Sequence, residues 1–173
     1  VSVTSEYGTT AGSGWYDAGD DTEISVSPCT IVNGGIRQLF TGWSGDYTGS
    51  DNPASVTVSS SKAVTAAWKT QYQLDIITDH GVTAGEGWYD AGDVAEFSLA
   101  DTLVSASEFE RYHFRGWESE LGYNGTSSGY SLTMDTSYTE TAAWDTLYRL
   151  TLVDASDPAV VDYLRLSYKS IET

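Results

Sequence analysis

The chain has 173 residues, with 25 Asp and Glu against 8 Lys and Arg and a formal net charge of −17, a balance that repels phosphate backbones and excludes nucleic acid as a partner. A single cysteine, Cys29, excludes an intrachain disulfide and a cysteine-built zinc centre, and is expected to be a small apolar core residue. No apolar run approaches the roughly 18 residues a membrane span needs, and none reads as a signal peptide.

The first segment, residues 1–8, alternates apolar and polar residues up to a glycine and is expected to be a half-buried strand. Next comes Gly14-Trp15-Tyr16-Asp17-Ala18-Gly19-Asp20, whose Asp-Ala-Gly suits a tight turn. The strand Glu23-Ile24-Ser25-Val26 follows and makes a hairpin-like corner with what precedes it. After a variable stretch over 28–35, the chain re-enters a strand through Gln38-Leu39-Phe40-Thr41-Gly42-Trp43, where the glycine permits a bulge or a close backbone approach. A polar loop over 44–54 leads to two closing strands, 55–58 and 63–68.

The whole order then repeats. Gly87-Trp88-Tyr89-Asp90-Ala91-Gly92-Asp93 answers the first heptapeptide at an offset of 73 positions, Phe114-Arg115-Gly116-Trp117 answers Phe40-Thr41-Gly42-Trp43, and Thr141-Ala142-Ala143-Trp144 answers Thr65-Ala66-Ala67-Trp68. All six tryptophans fall in these blocks, three per copy, and are expected to be core residues. No segment has helical period, so the expected class is all-β: two tandem small β-sandwich or β-grasp-like units, residues 1–70 and 71–146, and a strand segment over 147–173. Units of about 70 residues bury only about 60% of their unfolded surface, and the aromatic side chains help to offset that deficit. The last segment opens like a third copy, with strands over 148–153 and 160–169, yet has no third Gly-Trp-Tyr-Asp-Ala-Gly. Two strands are rarely stable alone. Tyr148, Leu150, Leu152, Tyr163, Leu164, Leu166 and Tyr168 are therefore candidate assembly residues, completing a sheet in a neighbouring subunit.

At these blocks the sequence resembles the divergent internalin-type B-repeat family of bacterial and archaeal surface proteins, with an opening Tyr-x-Leu strand (Tyr72-Gln73-Leu74), a central Phe-x-Gly-Trp (Phe114-Arg115-Gly116-Trp117) and a closing Ala-x-Trp (Ala142-Ala143-Trp144). The version with Gly12-Ser13-Gly14-Trp15-Tyr16-Asp17-Ala18-Gly19 and Phe40-Thr41-Gly42-Trp43-Ser44-Gly45-Asp46 is similar to repeats of archaeal secreted and envelope proteins. The resemblance implies an extracellular, cell-surface location, tandem use in a stalk or adhesive segment, and a compact β fold, in the internalin case a ubiquitin-like β-grasp.

Catalytic signatures are missing from the sequence: there is no nucleophile elbow, phosphate loop or His-Glu-x-x-His, and His80 and His113 stand at non-equivalent strand positions where packing explains them. The expected protein is no enzyme and carries no cofactor. Calcium is the one cation the sequence suggests, since Asp17, Asp20, Asp21, Asp90 and Asp93 place carboxylates beside glycine turns, although the first Asp of each turn also serves as a turn cap. Asn124-Gly125-Thr126 is a glycosylation acceptor in an exposed loop. The functional expectation is a non-catalytic structural module that assembles with itself or with neighbouring surface chains into a stalk, surface layer or filament. The alternative is an adhesin or carbohydrate-binding module that contacts a glycan through exposed Tyr47, Tyr123 and Tyr130.

Overall fold

Inward-facing Thr22, Ile24 and Val26 alternate with outward residues along one strand, and Ala95, Phe97 and Leu99 do the same along another. This period of two sets the architecture. The computed structural model describes residues 1–150 and is all-β, with fourteen strands and no helix among the described residues. The all-β expectation is borne out. The helix that a β-grasp would pack on its sheet is absent from that range.

The chain divides into two compact units. Unit 1 comprises Val1–Gln73 together with Trp88–Asp93 and Met134–Ser137, and unit 2 comprises Leu74–Gly87, Val94–Thr133 and, among the described residues, 138–150.

In unit 1, β1 (Ser2–Thr4) pairs in parallel with β7 (Ala63–Ile77), Val3 opposite Val64. Between them come β2 (Thr9–Ala11), β3 (Asp21–Ser27), β4 (Thr30–Asn33), β5 (Ile36–Gly45) and β6 (Ala54–Thr57). Strands β2 and β6 flank β3, while β5 lies antiparallel between β4 and β7. The core joins both sets: Ile24, Val26 and Val56 pack with Trp43, Val64 and Ala66. Phe40 meets Trp43 and Trp68 edge-on, with ring centroids 5.2 and 5.8 Å apart, and the Trp43 and Trp68 indole N–H groups donate to Asp51 O and Ser5 Oγ, each at 2.9 Å. The register slips between Phe40 and Gly42, so the expected bulge is present. Glycine is required there, because Gly42 has φ +146° and a Cβ would stand 2.6 Å from the Gly49 carbonyl oxygen.

Unit 2 contains β8 (Thr83–Ala84), β10 (Val94–Leu99), β11 (Leu103–Ser105), β12 (Glu110–Glu118), β13 (Gly129–Thr133) and β14 (Tyr138–Tyr148); Trp88–Asp90 of β9 (Gly87–Asp90) belong to unit 1. Strand β14 pairs in parallel with the Leu74–Ile77 end of β7 and antiparallel with β12, with the same bulge between Phe114 and Gly116. Its aromatic group is the equivalent one, Phe114 against Trp117 and Trp144 at 5.4 and 5.8 Å. His80 presents its ring edge-to-face with Trp144 where unit 1 uses Tyr7 on Trp68, and also stacks on Tyr112 at 3.6 Å.

Two expectations need correction. Trp43 and Trp117 are buried and Trp68, Trp88 and Trp144 half-buried, but Trp15 is fully exposed. The reason lies in what covers Trp88, described below. Cys29 is exposed, not core: it follows Pro28 beyond the end of β3, where the chain turns outward, and its thiol lies 2.9 Å from Asn52 Nδ2.

Candidate functional site

The two copies of the Trp-Tyr-Asp-Ala-Gly-Asp segment share one backbone frame. In the first, Gly19 N donates to Val58 O at 2.9 Å and Val58 N to Asp20 O at 2.8 Å; in the second, Gly92 N donates to Met134 O and Met134 N to Asp93 O, both at 2.8 Å. The turns match as well, with Asp20 N on Asp17 O and Asp93 N on Asp90 O. The surroundings of the side chains differ.

Around Trp88 and Asp90, unit 1 builds a polar cradle from β5 and β7, which bring Arg37 opposite Gln71 and place Lys69 two residues before Gln71. The Arg37 guanidinium carbon sits 4.7 Å above the centre of the Trp88 ring, within cation–π range. Arg37 Nε donates to Gln71 Oε1 at 2.6 Å, and Gln71 Nε2 donates in turn to Asp90 Oδ1 at 2.6 Å. Lys69 Nζ completes the set with an ion pair to Asp90 at 2.9 Å. Gln71 is buried, and both ends of its amide are satisfied by this relay. The Ala91 amide also donates to Thr70 O at 2.9 Å, so β9 is tied to β7 by backbone as well. Bonds from Lys69 and then Gln71 hold the Asp90 carboxyl below the usual carboxylate range. Close by, Gln73 N donates to Gly35 O, and a Cβ on Gly35 would fall 2.4 Å from Ser137 Cβ, so only glycine fits against the Met134–Ser137 segment.

Around Trp15 and Asp17 no such cradle exists among the described residues. Gly14–Asp17 form no strand, Gly14 exchanges backbone hydrogen bonds with Val1, Trp15, Tyr16 and Asp17 are exposed, and a depression of about 230 Å³ beside them is lined by Val1, Gly14–Tyr16, Ala18, Val58 and Ser59–Ser61. Asp21 accepts the Thr57 hydroxyl at 2.5 Å. Asp20 and Asp93 lie exposed beside their turns, and among the described residues no group of three or more His, Cys, Asp or Glu side chains is gathered as a metal centre.

Unit 2 has one further feature that the motifs did not announce. Glu140 is fully buried; its Oε1 accepts the Tyr123 amide at 2.9 Å, while Oε2 has no partner. Burial pushes its carboxyl above the ordinary range.

The remaining expected positions fall as follows. Asn124 is exposed, but its carboxamide is engaged with the Ser119 backbone, accepting at 3.0 Å and donating at 2.8 Å. Of the three tyrosines expected at the surface, Tyr130 is exposed and stacks at 3.9 Å on Tyr123 beside a shallow depression, whereas Tyr123 is half-buried and Tyr47 packs half-buried on the unit 1 core. Tyr148 and Leu150 are exposed at and just beyond the end of β14; Leu152, Tyr163, Leu164, Leu166 and Tyr168 lie outside the described residues. Arg37, Lys69 and Gln71 were not singled out from the sequence, because each reads there as an ordinary polar strand residue.

Residues 72–146 match the family model of the divergent InlB B-repeat domain, in agreement with the resemblance read from the sequence. That family occurs in cell-surface proteins. No curated protein and no solved structure matches the chain.

Proposed function

Taking residues 72–146 as a B-repeat module, we propose that this chain is a non-catalytic structural segment of an extracellular surface protein, in which successive repeats interlock to build a stalk, layer or filament. The observation that carries this reading is the composition of unit 1: residues 88–93 and 134–137, which belong to the second sequence copy, complete the compact unit begun by the first. Repeats joined in this way share core and polar contacts along the chain, as solenoid-like arrays do. The side chains spent there, a cation over an indole and a bridged carboxylate, are those of a recognition surface and not of an acid–base site.

Immunogold labelling and electron microscopy of the source cells test the reading. Label on an outer layer, stalk or filament is the expected result, and label confined to the cell interior would reject it. A second reading rests on the exposed Tyr130, stacked on Tyr123 at the edge of the depression formed with Ala84, Glu96 and Phe97. Such a platform can stack a sugar ring, and glycan-array binding lost in Tyr130→Ala would establish an adhesive role.

A further inference from the structure

One sequence motif in two states, covered at Trp88 and bare at Trp15, identifies what the bare copy is shaped to meet. We infer that Trp15–Asp20 is a docking surface for a further β-repeat module of the unit 1 type, one that presents an arginine over the indole and amine and amide donors to the Asp17 carboxylate. The inference rests on the structural reading above and adds to it the chemistry of the partner.

Three observations support it. The turn that follows the motif is bonded in the same way in both copies, so to take up the strand geometry that Trp88–Asp90 have in β9 the Trp15 copy has only to exchange local bonds, those of Gly14 with Val1 and of the Tyr16 hydroxyl with Gly12 O. An exposed indole, an exposed tyrosine and the adjoining depression offer apolar area, and Asp17, Asp20 and Asp21 make the patch acidic, so the fitting partner is basic. The third observation is that the acceptor is already known in atomic detail: Arg37, Lys69 and Gln71 on two paired strands.

Among the described residues a second copy of this chain does not offer that acceptor. Its own Arg37 face is occupied by its own Trp88 motif, at the high effective concentration of a tethered segment. Register places Arg111, Asp145 and Leu147 of unit 2 where unit 1 has Arg37, Lys69 and Gln71. The arginine is kept, but a carboxylate and an alkyl group replace the two donors, and Asp17 would meet Asp145. Selectivity between acceptor faces thus lies in two positions, with a repulsive element as well as a missing attractive one.

Sedimentation of the full chain tests this. Trp88→Ala combined with Asp90→Ala takes the indole and the carboxylate off the Arg37, Lys69 and Gln71 side chains while the β9 backbone stays bonded to β7, and this variant is expected to associate head-to-tail, its apparent mass rising with concentration while the parent chain shows no such rise through this surface. Adding Trp15→Ala and Asp17→Ala should return it to the parent's behaviour. Should the Trp88 and Asp90 variant lose its near-UV circular dichroism, Asp145→Lys with Leu147→Gln rebuilds the acceptor set around Arg111 and should produce the same association, again abolished by the Trp15 and Asp17 changes. Folded variants that sediment like the parent, or association that survives loss of Trp15 and Asp17, would overturn the inference. A glycan bound by the parent and lost in Trp15→Ala, with no association in either acceptor variant, would assign the surface to a sugar instead. None of these results depends on where the protein is located, so they fail or succeed independently of the labelling experiment.

Discussion

Four residues before its closing tryptophan unit 1 has Val64 and unit 2 has Glu140, both pointing inward from equivalent strands. Unit 1 closes over an apolar core there, while unit 2 buries a carboxyl with one oxygen unpaired. The indole N–H groups differ in the same direction: Trp43 donates to Asp51 O, whereas Trp117 Nε1 is buried without a partner. What both units keep is the Phe–Trp–Trp edge-to-face group and the glycine bulge that turns the chain beside it. The fold therefore depends on the aromatic group and the bulge, and tolerates polar substitutions around them at a cost in stability.

The comparison is broken most severely at its shared centre. Trp43→Ala and Trp117→Ala should each remove about 3–5 kcal/mol, read by chemical denaturation. Gly42→Ala should cost about 1–3 kcal/mol, because positive φ and the Gly49 carbonyl both oppose a Cβ. Glu140 sharpens the comparison. Since its folded carboxyl titrates above the ordinary value, the folded chain holds its proton more tightly. Its contribution is present in acid and is lost as pH rises through the raised value. Glu140→Gln should flatten that fall and stabilise the chain at neutral pH, because the amide has no charge to bury. A variant whose melting temperature keeps the parent's pH slope would refute that assignment.

A smaller effect distinguishes the indoles. Trp43→Phe gives up a hydrogen bond worth about 1 kcal/mol, whereas Trp117→Phe gives up none and should be the milder change. The smallest belongs to Asp90, whose sign is opposite to that of Glu140. Its lowered carboxyl stabilises above the ordinary carboxylate value and loses that stabilisation as pH falls through the lowered one. Asp90→Asn should remove this acid-side loss, and the effect should shrink in salt because the pair is half-exposed.

Much of this was legible in the chain itself. Duplicated Phe-x-Gly-Trp blocks marked the bulge, since a repeated glycine before a buried ring has few other uses, and alternation marked β3 and β10. Glu140 also left a signal: counting back in twos from Ala142 puts it on the inward face. The difference between Trp15 and Trp88 could not be seen locally, because the two heptapeptides are identical. It is decided by Arg37, Lys69 and Gln71, polar strand residues whose part appears only when β5 and β7 pair. Cys29 misled because cysteine is usually buried, and its position beyond a strand end outweighed that preference.

The central claim is that the second Trp-Tyr-Asp segment completes unit 1 by lying on the Arg37–Gln71–Lys69 face. Nuclear magnetic resonance of the folded chain tests it most directly, through the ring-current shift of the Arg37 side-chain methylenes and their Overhauser contacts with the Trp88 indole. Upfield methylene resonances that return to ordinary positions in Trp88→Ala are the expected result. Arg37 resonances at ordinary positions in the parent chain, with Trp88 contacts confined to its sequence neighbours, would contradict it.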